Sequence, residues 1–134
     1  MGGGEAMIVA GIGFRRIAAA EDIVALVEQA LERASLTRVS LAKLATIKAL
    51  ADLPAFAESA RRLAVPAVVI DEGELSAAAP RVQTQSARSI AAHGVGSVAE
   101  AAALAAAGPC AALVLARIAA ASATCALARL EIAP

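Results

Sequence analysis

Apolar runs separated by short polar or glycine-bearing stretches organise this chain. Residues 6–14 are rich in Ile and Val and close on Gly11 and Gly13, which predicts a short buried strand leading into a loop. Glu21 and Asp22 suit the positive end of a following helix. Within it Ile23, Leu26, Val27, Ala30, Leu31 and Ala34 recur at helical spacing, while Glu28, Glu32 and Arg33 face away from that stripe. Residues 43–48 read as a second strand. Pro54 fits a first helical position, from which Phe56, Ala60 and Leu63 face the core, with Arg61 and Arg62 at the negative end. Residues 66–70 read as a third buried strand, and Asp71 with Glu74 starts a short helix. The pattern then loosens over 76–93, which predicts a loop and a short irregular helix near 86–92.

The stretch from Gly94 to Gly108 is the most tightly specified. Ser97 and Glu100 have the spacing of a capping box, in which the hydroxyl accepts a backbone N–H of the first turn and the carboxylate reaches back to the N–H of the cap. Gln would serve at position 100 of such a box. Gly108 and Pro109 stop the helix. Two strands follow, near 112–117 and 123–130, and the connection between them is too short for a crossover helix, so they pair antiparallel. Strands alternating with helices give an α/β fold: three layers, α/β/α, around a mixed, mainly parallel sheet whose C-terminal strand pair is antiparallel. With 134 residues, no internal repeat and no linker, the chain reads as one domain over 1–134, with 1–6 a flexible N-terminus.

Hydrophobic residues make up 60% of the chain, a figure inflated by alanine, and the two Phe are its only aromatic residues. Small side chains permit close helix–sheet contact. A net charge of zero and the lack of aromatic platforms argue against nucleic acid as a partner. Between residues 101 and 128 only Arg117 is charged, but Gly108 and Pro109 interrupt the stretch, and it reads as helix, stop, strand, strand and not as a membrane span. Met1 to Glu5 lack the basic region of a signal peptide, so the expected compartment is the cytoplasm. Cys110 and Cys125 form no CxxC pair, and with His93 the single histidine no zinc set can be assembled, so no metal site and no resident cofactor are expected.

Ligands of open α/β sheets gather beyond the carboxyl ends of strands. Three features could meet there: Gly11 and Gly13 followed by Arg15 and Arg16; Gly94 and Gly96 with Ser97 and Glu100; and Arg117 with residues 122–124, including Thr124. Gly11-x-Gly13 lacks the third glycine of a dinucleotide loop, and no acidic residue stands at the end of the second strand. Arg15 and Arg16 are suited to carboxylates, which guanidinium meets with two hydrogen bonds, or are solvated. His93 could carry a proton near neutral pH. The start of the 97–107 helix could hold an anion, or Ser97 and Glu100 could simply cap it.

The opening run Met7-Ile-Val-Ala-Gly-Ile-Gly-Phe-Arg-Arg16, the Gly-x-Gly-Ser-Val-Ala-Glu-Ala-Ala-Ala-Leu block and the Ala123-Thr-Cys-Ala-Leu-Ala128 run together resemble the CobE family of cobalamin biosynthesis, itself similar to the C-terminal domain of the larger CbiG proteins. The resemblance covers about residues 7–130. It departs at Ile17, where family members usually have Gly, and at Leu50 and Leu53, which stand where many carry Lys and Glu. The resemblance implies a protein that binds or carries a precorrin or hydrogenobyrinate-type intermediate, with pathway methyltransferases as further partners. It equally allows a hydrolase or isomerase acting on the ring periphery, like the opening of the cobalt-precorrin-5A lactone, with His93 or Glu100 as acid/base. The candidate ligand-binding residues, taken from the three features above, are Gly11, Gly13, Arg15, Arg16, Gly94, Gly96, Ser97, Glu100, Arg117 and Thr124.

Overall fold

A computed structural model describes residues 6–131; residues 1–5 and 132–134, and with them nearly all of the expected flexible N-terminus, lie outside the described residues. Five strands form one sheet: β1 (Ile8–Phe14), β2 (Leu41–Ile47), β3 (Ala67–Ile70), β4 (Leu113–Ala119) and β5 (Ala123–Arg129), in the order β3-β2-β1-β5-β4. β1, β2 and β3 pair in parallel, and β5 runs antiparallel to both β1 and β4. Four of the five strands therefore point the same way, as expected of a mixed, mainly parallel sheet.

Alternation along β1 sorts the core into two halves. Ile8, Ala10, Ile12 and Phe14 face one side, where α1 (Ala20–Arg33) and, after the short α2 (Lys48–Ala51), α3 (Pro54–Leu63) cover the sheet with Ile23, Leu26, Leu31, Phe56 and Leu63. Val9 faces the other side, under α4 (Glu72–Ala78) and α6 (Val98–Ala107), with α5 (Ala87–His93) between them in sequence. These are the three layers that the alternation of strands and helices requires.

α6 is the helix most dependent on small residues. Ala99, Ala101, Ala102 and Ala103 are all fully buried, so the helix is apolar nearly all round, as a core helix must be. It crosses the sheet at Gly11. A Cβ there would run into the Ala99 carbonyl and the backbone of Ala103. Gly11 is thus a packing glycine that lets helix and strand backbones approach.

Two expectations need correction. β3 is only half-buried, with Ala67 and Val69 exposed, because it closes the sheet edge and has no strand beyond it. The segment after Ser76 is more regular than its polar sequence suggested. α4 continues to Ala78, a 3₁₀ turn spans Ala79–Arg81, and α5 is a regular helix capped by the Ser86 hydroxyl, which accepts the Ser89 N–H at 3.3 Å. Asp71 and Glu74, expected to start this helix, form a reciprocal capping box at the start of α4, at 2.8 and 3.1 Å. Among the described residues no single helix is long and apolar enough to cross a membrane.

Candidate functional site

β1 has β2 on one side, reached by a parallel crossover, and β5 on the other, paired antiparallel. The chain changes course at that junction, and the place beyond the carboxyl end of β1 is where open α/β sheets leave a crevice. A cleft of about 300 Å³ lies there. Gly13 and Arg15 bring the end of β1 to it, Ser122 and Thr124 the start of β5, Arg117 the far half of β4, and Ser86, Arg88, Ser89 and His93 the helix α5. The β1–β5 register sets the first two walls: Gly13 lies opposite Thr124, the Arg15 N–H donates to the Ser122 carbonyl at 2.9 Å, and the Thr124 hydroxyl donates to the Gly13 carbonyl at 3.4 Å.

The charge of this cleft is one-sided. Three arginines and a histidine line it, and no carboxylate among the described residues does. The Ser89 hydroxyl, in the wall contributed by α5, is buried and has no hydrogen-bond partner among the described residues. Such a hydroxyl costs about 1–3 kcal/mol when left unpaired. Guanidinium groups placed as these three are have the chemistry to meet carboxylates with paired hydrogen bonds.

Of the residues singled out from sequence, Gly13, Arg15, His93, Arg117 and Thr124 meet in this cleft. The others are placed elsewhere. Gly11 lies under α6. Arg16 is exposed in the loop after β1 and does not line the cleft. Gly94 is the left-handed residue that ends α5, with φ of 77°, and Gly96 packs against the Thr84 carbonyl and Gln85. Ser97 is 1% exposed and caps α6, its hydroxyl accepting the Glu100 N–H at 3.1 Å.

Glu100 is the main correction. Its carboxylate does not return to the N–H of Ser97. Oε1 accepts the N–H groups of Gln83 and Thr84 at 2.7 and 3.0 Å, and Oε2 accepts the Thr84 hydroxyl at 2.6 Å and the Arg117 N–H at 2.9 Å. The residue is completely buried. Burial pushes its pKa up, but the Arg117 N–H, the Thr84 hydroxyl and the N–H groups of Thr84 and Gln83 outweigh it and hold the carboxyl below its ordinary value. A carboxylate so held stays ionised and makes a poor general acid. What it does is bind the segment leading into α5 to the strand that carries Arg117. Two walls of the cleft are thereby fixed by one buried side chain.

Sequence reasoning missed Leu50, Ser86, Arg88 and Ser89. The spacing Ser86, Ser89, His93 puts three polar groups on one face of a helix, and that signal was readable once 87–93 was taken as regular helix. Leu50 lines the cleft from α2.

Residues 8–128 match the family described as Cobalamin synthesis G C-terminus. The chain is 40% identical over 121 residues to Protein CobE of a Sinorhizobium species, covering 90% of this chain and 79% of that protein. It superposes on the crystal structure of CobE, a protein from the cobalamin (vitamin B12) biosynthetic pathway, with a TM-score of 0.87 and 35% identity, covering 96% of this chain and 93% of that one. Cobalamin biosynthesis protein chiG from Agrobacterium tumefaciens gives a TM-score of 0.74 at 35% identity, covering 93% and 99%. A cobalamin biosynthesis protein G homologue from Sulfolobus solfataricus gives 0.74 at 26% identity, covering 94% of this chain but 37% of that longer one. With its mixed five-stranded sheet and a match over nearly its whole length, the chain belongs to the cobalamin synthesis G C-terminus family and is a CobE/CbiG-type protein of cobalamin biosynthesis.

Proposed function

We propose that this protein binds a precorrin or hydrogenobyrinate-type tetrapyrrole by its peripheral carboxylates and passes it on unchanged, among cytoplasmic enzymes such as the pathway methyltransferases. The carrying observation is the cleft beyond β1, where Arg15, Arg88, Arg117 and His93 converge with no opposing carboxylate among the described residues. A tetrapyrrole of this class is apolar across its ring and fringed with acetate and propionate groups, so it needs guanidinium forks for the fringe and small side chains for the ring. Gly13, Ala120 and Ala121 supply the small walls. Gly11, Gly94, Gly96 and Ser97 serve this site through the backbone that they shape, and Arg16 lies outside it.

The carrier reading is favoured over a ring-periphery hydrolase because Glu100, one of the two acid/base candidates, is ionised and engaged by four donors. The test is titration with hydrogenobyrinic acid followed by mass spectrometry of the recovered ligand. One equivalent bound with unchanged mass is expected. No binding would overturn the reading, and a changed mass with turnover would replace it by the hydrolase.

A further inference from the structure

We propose that a single tetrapyrrole lies across two depressions at the strand ends, the carboxylates of one edge in the arginine cleft and the remainder of the ring in a neighbouring groove, with Ala92 and His93 beneath it. The inference rests on the carboxylate-binding reading of the cleft and adds where the rest of the ligand goes.

The groove, of about 900 Å³, opens beyond the carboxyl ends of β2 and β3 and is floored by Ile47, Ile70 and Leu75. It is continuous with the cleft along two lines. Ala92 and His93 at the end of α5 line both, and the run from Ile47 to Leu50 passes from one to the other, with Ile47, Lys48 and Ala49 in the groove and Leu50 in the cleft. Size requires such a continuation. The cleft alone is at the lower end of the range for ligand pockets, and a tetrapyrrole with its side chains is larger than the drug-sized molecules that such pockets enclose.

Charge sets the orientation. The groove carries Asp71 and Glu72 against Lys48, whereas the cleft carries three arginines and no acid among the described residues. The arginines hold the carboxylates of one edge, the apolar floor takes the ring, and the carboxylates of the far edge turn to Lys48 or to solvent, away from Asp71 and Glu72. Asp71 is fixed in place, since its carboxylate caps α4 by accepting the Glu74 N–H at 2.8 Å.

Bulk placed in each depression separately tests this. Ser76→Trp fills the groove, Ala121→Trp fills the cleft, and both positions are exposed, so neither alters the core. Hydrogenobyrinic acid is the probe, and thermal unfolding confirms that each variant is folded; Ala49→Trp and Ala120→Trp repeat the test should either fail. At least a tenfold loss of affinity in both variants is expected. Loss with Ala121→Trp alone would confine the ligand to the cleft, overturning the two-compartment inference while leaving the binding reading intact. Loss with Ser76→Trp alone, or with neither, would overturn both.

Discussion

Glu100 and Arg117 meet through an amide and not as an ion pair: the Glu100 carboxylate accepts the backbone N–H of Arg117 at 2.9 Å, while Arg117 itself lines the cleft. An anion buried beside a cationic site could easily neutralise it. Here the negative charge is satisfied by two backbone N–H groups of the loop, a threonine hydroxyl and one strand amide. The carboxylate thus orders the cationic wall without competing for its charge.

Replacing Glu100 by Gln tests that arrangement. Every group facing the carboxylate is a donor, and only the Thr84 hydroxyl can reverse to accept. Whichever way the amide is turned, its NH₂ faces at least one backbone N–H. Glu100→Gln is expected to cost about 1.5–3 kcal/mol, read from urea unfolding, in contrast to the near-neutral change that a reciprocal capping box would allow. The folded pKa lies below the unfolded one, so the stability due to the charged form is complete above the ordinary value of 4.5 and is lost as the pH falls through the lower folded value. The gap between wild type and Gln variant should accordingly be constant near neutrality and narrow below about pH 4.5. A gap independent of pH would show that the charge is not what matters.

Gly11 and Gly13 should respond differently to alanine. At Gly11 the added methyl meets backbone of α6, which cannot move without shifting the helix, and a loss of about 3 kcal/mol or more is expected. At Gly13 it meets the Thr124 hydroxyl at 3.0 Å and a Val98 methyl at 3.3 Å, both side-chain atoms. Gly13→Ala should be the milder change in thermal unfolding and should act mainly on ligand affinity, since it narrows the cleft. Equal losses of stability would show that α6 adjusts more readily than its packing implies.

Arg15 and Arg16 are adjacent in sequence, but only Arg15 lines the cleft. Arg15→Ala should weaken binding of hydrogenobyrinic acid by about 1.5–3 kcal/mol, and Arg16→Ala by less than about 0.5 kcal/mol, with thermal stability unchanged in both. Isothermal titration of the two variants checks this. Equal effects would mean that the pair acts as diffuse charge.

The thiols give a measurement of packing independent of any ligand. Cys110 is exposed, whereas Cys125 is fully buried on β5 and its pKa is pushed up to about 12 by burial. One thiol per chain should react with a disulfide reagent in native buffer and two in denaturant. Rapid reaction of both in native buffer would mean that β5 opens far more readily than a central strand should.

Much of the fold was legible because its signals are local. The stripe from Ile23 to Leu31, Pro54 at the start of α3 and the Asp71–Glu74 box each act within a few residues, and each appears where its chemistry puts it. The site was less legible because its parts converge only through tertiary contacts. Ser97 did cap its helix, but whether Glu100 would turn back to it or reach 17 residues away to Arg117 depends on the loop brought alongside. Arg88 and Ser89 belong to a polar stretch whose composition resembles a loop, and only its docking beside β1 and β5 makes it a wall. β3 was read as buried from its Val and Ile content, and no local pattern reveals that a strand will be last in the sheet.

β5 lies between β1 and β4, and Ile8 is paired with Arg129. β1 must therefore wait for β5 before its second edge is filled. Until then β1 exposes an open, apolar edge, and the Gly13–Thr124 junction that forms the cleft does not exist. Contacts of such long sequence separation slow folding. The cleft is complete only once β5 has been inserted, so loss of even a few residues from β5 would remove the middle of the sheet.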